Sequence, residues 1–335
     1  DWYREHGYHF LVLSDHNVLS QGERWFPVEE GGRLTPERVE QLAARFGAEA
    51  VELRDGEGAR EMRLATLPEL RERFEEPDAF LLVQGEELSD GLDGRPVHVN
   101  GLNLLEPIPP QGGATVREVL QRNVSAIVEQ GRRLDRPTLA HVNHPNFGWG
   151  LTWEDVAALR DDRFFEVYNG HPSVRNAGDA EHPGTERLWD LALTRRLTEL
   201  HLGLLYAVAT DDAHNYHATA PDKANAGRGW IVVRADALTP EALLGALRAG
   251  DFYASSGVTI DDVGAADGAY RVDVAAETGV TYRTRFLGTR VTDGVPGDAG
   301  VLLHETTDVP AEYRFAGDEL YVRAVVVSDR PHPNP

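Results

Sequence analysis

Acid and imidazole side chains recur in this chain directly after apolar runs. Five such places stand out: Ser14-Asp15-His16, Gly85-Glu86-Glu87, His141-Val142-Asn143-His144, Asn169-Gly170-His171 and Asp211-Asp212-Ala213-His214. In the last of these Asp212 and His214 are two apart, with Asp211 and His217 on either side. An Asp-x-His at the mouth of a strand offers one hard oxygen and one borderline nitrogen to the same point, a pairing that suits a divalent metal. The chemistry in prospect is metal-assisted hydrolysis. A covalent serine route has no Gly-x-Ser-x-Gly elbow behind it, and neither a P-loop nor a GxGxxG occurs. With no cysteine in the chain, disulfides, thiolate catalysis and iron–sulfur clusters are excluded together.

The elements that must position these residues can be read from the apolar pattern. Short continuous apolar runs predict buried strands at 8–14, 80–84, 97–104, 138–144, 164–168, 204–209 and 229–234. Helical spacing predicts helices at 35–46, 67–74, 115–134, 184–200 and 240–249, and Thr152 with Asp155 reads as a helix start. Residues 18–79 are charged and weakly periodic, and read as a long insertion over one side of a site. Strands alternating with helices predict a mostly parallel sheet wrapped by helices over 1–250. In a parallel barrel the C-terminal strand ends share one face, so ligand-type residues two hundred positions apart would converge there. After Gly250 short alternating runs broken by Gly, Asp and Pro predict a small antiparallel β domain, sandwich-like, over 251–335.

Phe10-Leu-Val-Leu-Ser-Asp-His-Asn17, Gly85-Glu-Glu-Leu-Ser89, His98, Asn143-His-Pro-Asn146 and Thr210-Asp-Asp-Ala-His214 resemble, in order, the motifs of the PHP family, the polymerase and histidinol phosphatase metallohydrolases. The resemblance covers about residues 1–250. It implies a distorted seven-stranded α/β barrel, a (β/α)7 relative of the TIM barrel, with two or three divalent ions (zinc, manganese or iron). By the same resemblance His16, His98, His144, Asp212 and His214 are metal ligands, and Glu87 is a bridge between two metals. The family's opening His-x-His has no match, because His6-Gly-Tyr-His9 has the wrong spacing. Both ends of the chain are expected to be incomplete.

The implied reaction is hydrolysis of a small phosphate ester, monoester or diester, by hydroxide shared between metals. Glu87 would take part directly, and His171, Arg175 and His217 would hold the substrate's oxyanion or protonate the leaving group, with His182 a further candidate. Asp15 and Asp211 are expected behind the ligands, orienting them. Successive strand side chains point oppositely, so of Glu86 and Glu87 only one can face a pocket, and motif position favours Glu87. His141 is open to either a buried structural role or a place behind His144. Tyr168 and Trp149 read as wall or core aromatics. Hydrolysis of carboxylic esters, lactones or amides is an alternative for the same centre. A second is a non-catalytic module, stabilised by metal or binding glycan or another polymer through the β domain.

Composition limits the partners. The chain has 335 residues, 41% of them hydrophobic, enough for one large core or one core and a small domain. Its 33 basic and 55 acidic residues leave a net charge of −22. Such a surface repels nucleic-acid backbones and anionic membranes. An anionic small substrate is still compatible, since bound cations reverse the local potential. Lys223 is the sole lysine. No apolar run approaches the ~20 residues of a membrane-spanning helix.

Overall fold

A computed structural model of the protein describes residues 1–216 and 218–332. Helix α1 (Trp2–Glu5) turns into strand β1 (Phe10–His16). Residues 18–79 then form a segment that packs back on the main body, Leu67, Leu70 and Phe74 lying against Tyr3, Phe80 and Leu82. In it β2 (Trp25–Pro27), β3 (Leu53–Asp55) and β4 (Arg60–Arg63) make an antiparallel sheet in the order β2-β4-β3, beside α2 (Pro36–Phe46) and α3 (Leu67–Phe74). Thr35 caps α2 by accepting from Arg38 N, and Thr66 with Glu69 forms a capping box on α3. The three strands carry no apolar alternation; β3 and β4 pair as an antiparallel ladder, across which Arg54 forms an ion pair with Glu61.

The main sheet continues with β5 (Leu81–Leu92) and β6 (Arg95–Leu102). After α4 (Val116–Arg133) come β7 (Leu139–Val142), α5 (Trp153–Ala157) and β8 (Phe164–Asn169). Helix α6 (Thr185–Arg195) runs into a π-helical turn at Arg196–Leu200, and β9 (Tyr206–Thr210) completes the sheet. The order is β1-β5-β6-β7-β8-β9. β1 and β5 are parallel, as are β7, β8 and β9, while β6 runs against both its neighbours. Five strands therefore end at one edge, and β6 begins there.

The seven-stranded (β/α)7 barrel expected from the sequence is not formed. The sheet has six strands, one of them reversed, and it curls into a half-barrel; among the described residues no ladder joins β9 to β1. The decisive segment is 85–95. Gly85-Glu-Glu does not end its strand but lies within a 12-residue strand that reverses at Asp93-Gly94, where φ is 51° and 78°. Two central residues with positive φ are the geometry of a tight hairpin. A hairpin needs no crossover helix, so the strand–helix alternation is broken here. The strand expected at 229–234 is β10 (Trp230–Val233), which leaves the main sheet and pairs with β11 (Phe252–Ser255) across α7 (Pro240–Ala249).

The curl gives the sheet two different faces. Outside it, Leu88, Val97 and Val99 meet the apolar stripe Val119, Leu120, Val124 and Ile127 of α4. Inside, side chains stack in layers. The deepest is apolar, with Leu102, Leu139, Phe164 and Val208 packed against Leu244 and Leu247 of α7. Burial of a side chain such as Phe164 contributes about 1.5–3 kcal/mol. Above it the interior turns polar at Asn100, His141 and Glu166, each two positions nearer the shared edge than Leu102, Leu139 and Phe164 on the same strands.

From residue 260 the chain is all β. Strands β12 (Ile260–Ala266), β13 (Ala269–Val274), β14 (Tyr282–Thr292), β15 (Val295–Pro296), β16 (Val301–Thr306), β17 (Ala311–Arg314) and β18 (Glu319–Ser328) follow. β12-β13-β17 form one antiparallel sheet, and β14 with β15, β16 and β18 the other. Val272, Phe286 and Tyr313 lie in the core that both share. This unit is fastened to α6. Arg323 Nε and Nη2 each donate to the Asp190 carboxylate at 2.8 Å, and Tyr321 Oη donates to it at 2.9 Å, all three residues being buried. Gly300, at φ +62°, lies so close that a Cβ there would run into the same carboxylate. No helix among the described residues is long and apolar enough to cross a membrane.

Candidate metal centre

Strand register brings the ligand-type side chains together. The parallel β1–β5 ladder sets His16 beside Glu87, and the β5–β6 hairpin sets Ser89 beside His98 and Glu87 beside Asn100. His144 lies two residues beyond β7 and Asp212 two beyond β9. Both have left-handed backbones, with φ of 23° and 49°. Non-glycine residues seldom adopt that conformation, and such strain gathers at functional sites.

Glu87 is the centre of the arrangement. Ligand atoms of His16, Glu87 and His98 all lie within 4.8 Å of one another. Oε1 of Glu87 is 2.7 Å from His98 Nδ1 and 3.6 Å from His144 Nε2, while Oε2 is 3.5 Å from His16 Nδ1. The contact between Glu87 Oε1 and His98 Nδ1 is close, yet neither buried atom has a hydrogen bond. Two such close, buried and unbonded atoms fit donors that share a cation, a fit the His and carboxylate chemistry of the set also favours. The imidazole rings form an arc, His144–His98–His16–His214–His171, with centroid spacings of 5.0, 6.0, 5.8 and 5.5 Å. Asp212 joins the arc through the loop it shares with His214, whose Nδ1 is 3.5 Å from Asp212 Oδ1.

The electrostatics of the pair at the centre oppose burial. Burial disfavours the Glu87 carboxylate, but the His144 and His98 rings close beside it and the nearby His16 outweigh burial and hold the carboxyl well below its ordinary range. Burial likewise works against a charged His144, and there Glu87 and Glu166 outweigh it, so its ring is shifted upward.

The other predicted residues divide by where they point. Glu86 faces away from Glu87, buried on the far side of the strand, where its Oε2 accepts from Ile108 N at 2.8 Å; burial raises its pKa. His16 is oriented by Ser89, whose Oγ lies 2.5 Å from its Nδ1, and Asn17 extends the ladder by accepting from Ser89 N. Asp15 does not orient a histidine; its carboxylate accepts from Ser20 Oγ. Asp211 turns away from the centre and accepts from Tyr3 Oη at 2.8 Å and Gly227 N at 2.7 Å, and burial pushes its carboxyl up to about 6. His141 is buried beneath the ligands, 3.8 Å from Glu166, and burial pushes its ring down to about 4.

At the rim, His171 Nδ1 accepts from Ser173 N at 3.1 Å, which leaves Nε2 as the donor of a neutral ring; burial lowers its pKa. Arg175 is exposed, its guanidinium 5.2 Å over the Trp149 ring, and His182 stacks on the same ring at 4.1 Å. Neither has a contact with the imidazole arc. Phe147 stands between rim and arc, 5.0 Å from His144 and 6.3 Å from His171. Tyr168 is half-buried beside Gly229, and burial raises its pKa. His217 lies outside the described residues.

The sequence reading missed Glu166. Its carboxylate is 1% exposed, burial pushes it up to about 7, and it bonds to residues of three strand ends. The signal was present: Phe164-Phe-Glu-Val-Tyr168 carries one acid in an otherwise apolar run, and a buried acid needs partners. A cavity of ≈ 810 Å³ opens inside the half-barrel, with His16, Glu87, His141, Glu166, Asp212 and His214 in its wall. That volume and its polar end suit a small-molecule ligand. No family model matches the chain, and no curated protein matches it.

Proposed function

We propose that this chain is a metal-dependent phosphoesterase of the PHP kind its motifs resemble. In this reading His16, Glu87, His98, His144, Asp212 and His214 hold two or three divalent ions. The observation that carries it is Glu87: one buried, ionised carboxylate whose two oxygens face different histidines. A carboxylate with each oxygen turned to a different imidazole has the form of a bridge between two sites.

Bound there, divalent ions would supply hydroxide at neutral pH and polarise a phosphoryl oxygen. The chain's own residues do the rest. Glu87 keeps its negative charge against burial, which offsets the charge gathered by the ligand set. Ser89 fixes the His16 ring. The Nε2–H of His171 is a single neutral donor beside His214, suited to hydrogen-bond a phosphoryl oxygen. Arg175, held over the Trp149 ring, supplies positive charge at the rim in a strongly acidic protein. The half-buried Phe147 gives the ester's organic part an apolar wall.

The test is turnover by metal-replete protein of p-nitrophenyl phosphate, bis(p-nitrophenyl) phosphate and an aryl carboxylic ester, with and without chelator. The expected result is chelator-sensitive release of nitrophenol from at least one phosphate. Cleavage of the carboxylic ester alone would replace the reading with the carbonyl one, and no turnover across a broad phosphoester panel would overturn it.

A further inference from the structure

We infer that Glu166 is a positioning residue that sets the His144 and Asp212 ligands relative to each other. The inference rests on the metal-centre reading above. Glu166 lies on β8, between the strands that lead to those two ligands. Its Oε2 accepts from His144 N at 2.7 Å and from Asn169 Nδ2 at 2.8 Å, and its Oε1 accepts from Thr210 Oγ1 at 2.8 Å. Asn169 Nδ2 also donates to Asp212 Oδ2 at 3.2 Å. One carboxylate thus ties the ends of β7, β8 and β9, reaching one ligand through its backbone and the other through a single amide.

Those two ligands are also the two with left-handed backbones. A strained φ persists only where the surroundings over-determine it. At His144 the bond from its N–H to Glu166 supplies that constraint, and at Asp212 the Asn169 amide does so. Among the described residues Glu166 forms no hydrogen bond or ion pair with a side-chain atom of His144 or Asp212; its bonds reach the backbone of one and a relay amide of the other. The bonds at Oε2 need only an acceptor oxygen, which glutamine also provides. Leucine fills similar space and provides none.

The probe is cobalt(II), titrated into apo-protein and followed by its visible absorption bands, which report ligand geometry without any turnover. Glu166→Leu is expected to weaken cobalt binding by about 10–100-fold, the usual cost of losing a group that orients a ligand, and to shift the bands. Glu166→Gln is expected to recover most of the affinity and the native band positions. Asn169→Ala, which cuts only the relay to Asp212, is expected to shift the bands even if the leucine variant does not fold. Unchanged affinity and bands in Glu166→Leu and Asn169→Ala would overturn the inference, as would a glutamine variant as impaired as the leucine one. Absence of cobalt binding by the unmodified protein would instead overturn the metal-centre reading beneath it.

Discussion

Burial at the depth of Glu87 would by itself protonate a carboxyl, yet three imidazoles face this one and win. Asp211, one residue from a candidate ligand, has the opposite outcome. Its partners are a phenol and a backbone amide, neither charged, so burial prevails and its carboxyl rises to about 6. The consequence for stability has a definite sign. Between about 3.9, the unfolded value, and about 6, the folded state binds more protons than the unfolded state, so this group's contribution falls as pH rises through that window. Asp211→Asn keeps an acceptor for Tyr3 and Gly227 and removes the titration. In metal-free protein the variant is expected to gain stability relative to the parent as pH goes from 4 to about 6, read by urea unfolding at each pH. A difference that stays constant with pH would contradict the assignment.

Among the elements, α6 and β18 show what fastens the C-terminal sheets to the half-barrel. Asp190 and Arg323 are both buried and joined by two bonds. Removing one partner of a buried pair leaves the other charge stranded, at about 3–5 kcal/mol. Arg323→Met should therefore lose that amount in denaturant unfolding, and adding Asp190→Leu should restore much of it. A loss under 1 kcal/mol in the single variant would show that the pair is not the fastening. The elements also mark where the sequence was readable. Thr152 with Asp155 announced a helix start by chemistry confined to a single turn, and α5 begins there with both capping bonds formed. Asp93-Gly94 was as plain a turn signal, but the two acids before it drew the strand to a false end at Gly85. Whether β9 closes onto β1 is a matter of long-range pairing that no local pattern encodes.

At the scale of the molecule, the gathering of ligand-type residues does not require a closed barrel. It requires only that β1, β5, β7, β8 and β9 run one way and that β6 start at their shared edge. That is why the strand-end residues His16, Glu87, His144 and His214, with His98 that the resemblance added, lie in one contiguous group although the expected architecture is wrong. The residues expected around the ligands lie elsewhere: Asp15 and Asp211 bind the scaffold, and Arg175 and His182 lie on Trp149. Glu166 escaped notice because its partners come from three separate strand ends, visible only once the sheet is assembled.

The central claim is that one carboxylate bridges a polynuclear site, and elemental analysis of protein reconstituted with zinc, manganese or iron and then gel-filtered tests it most directly. The account predicts two or three tightly held ions per chain, and a drop to one or none in Glu87→Ala protein that remains folded. Protein that retains no ion under any of these metals, or a Glu87→Ala variant that holds its full complement, would contradict it.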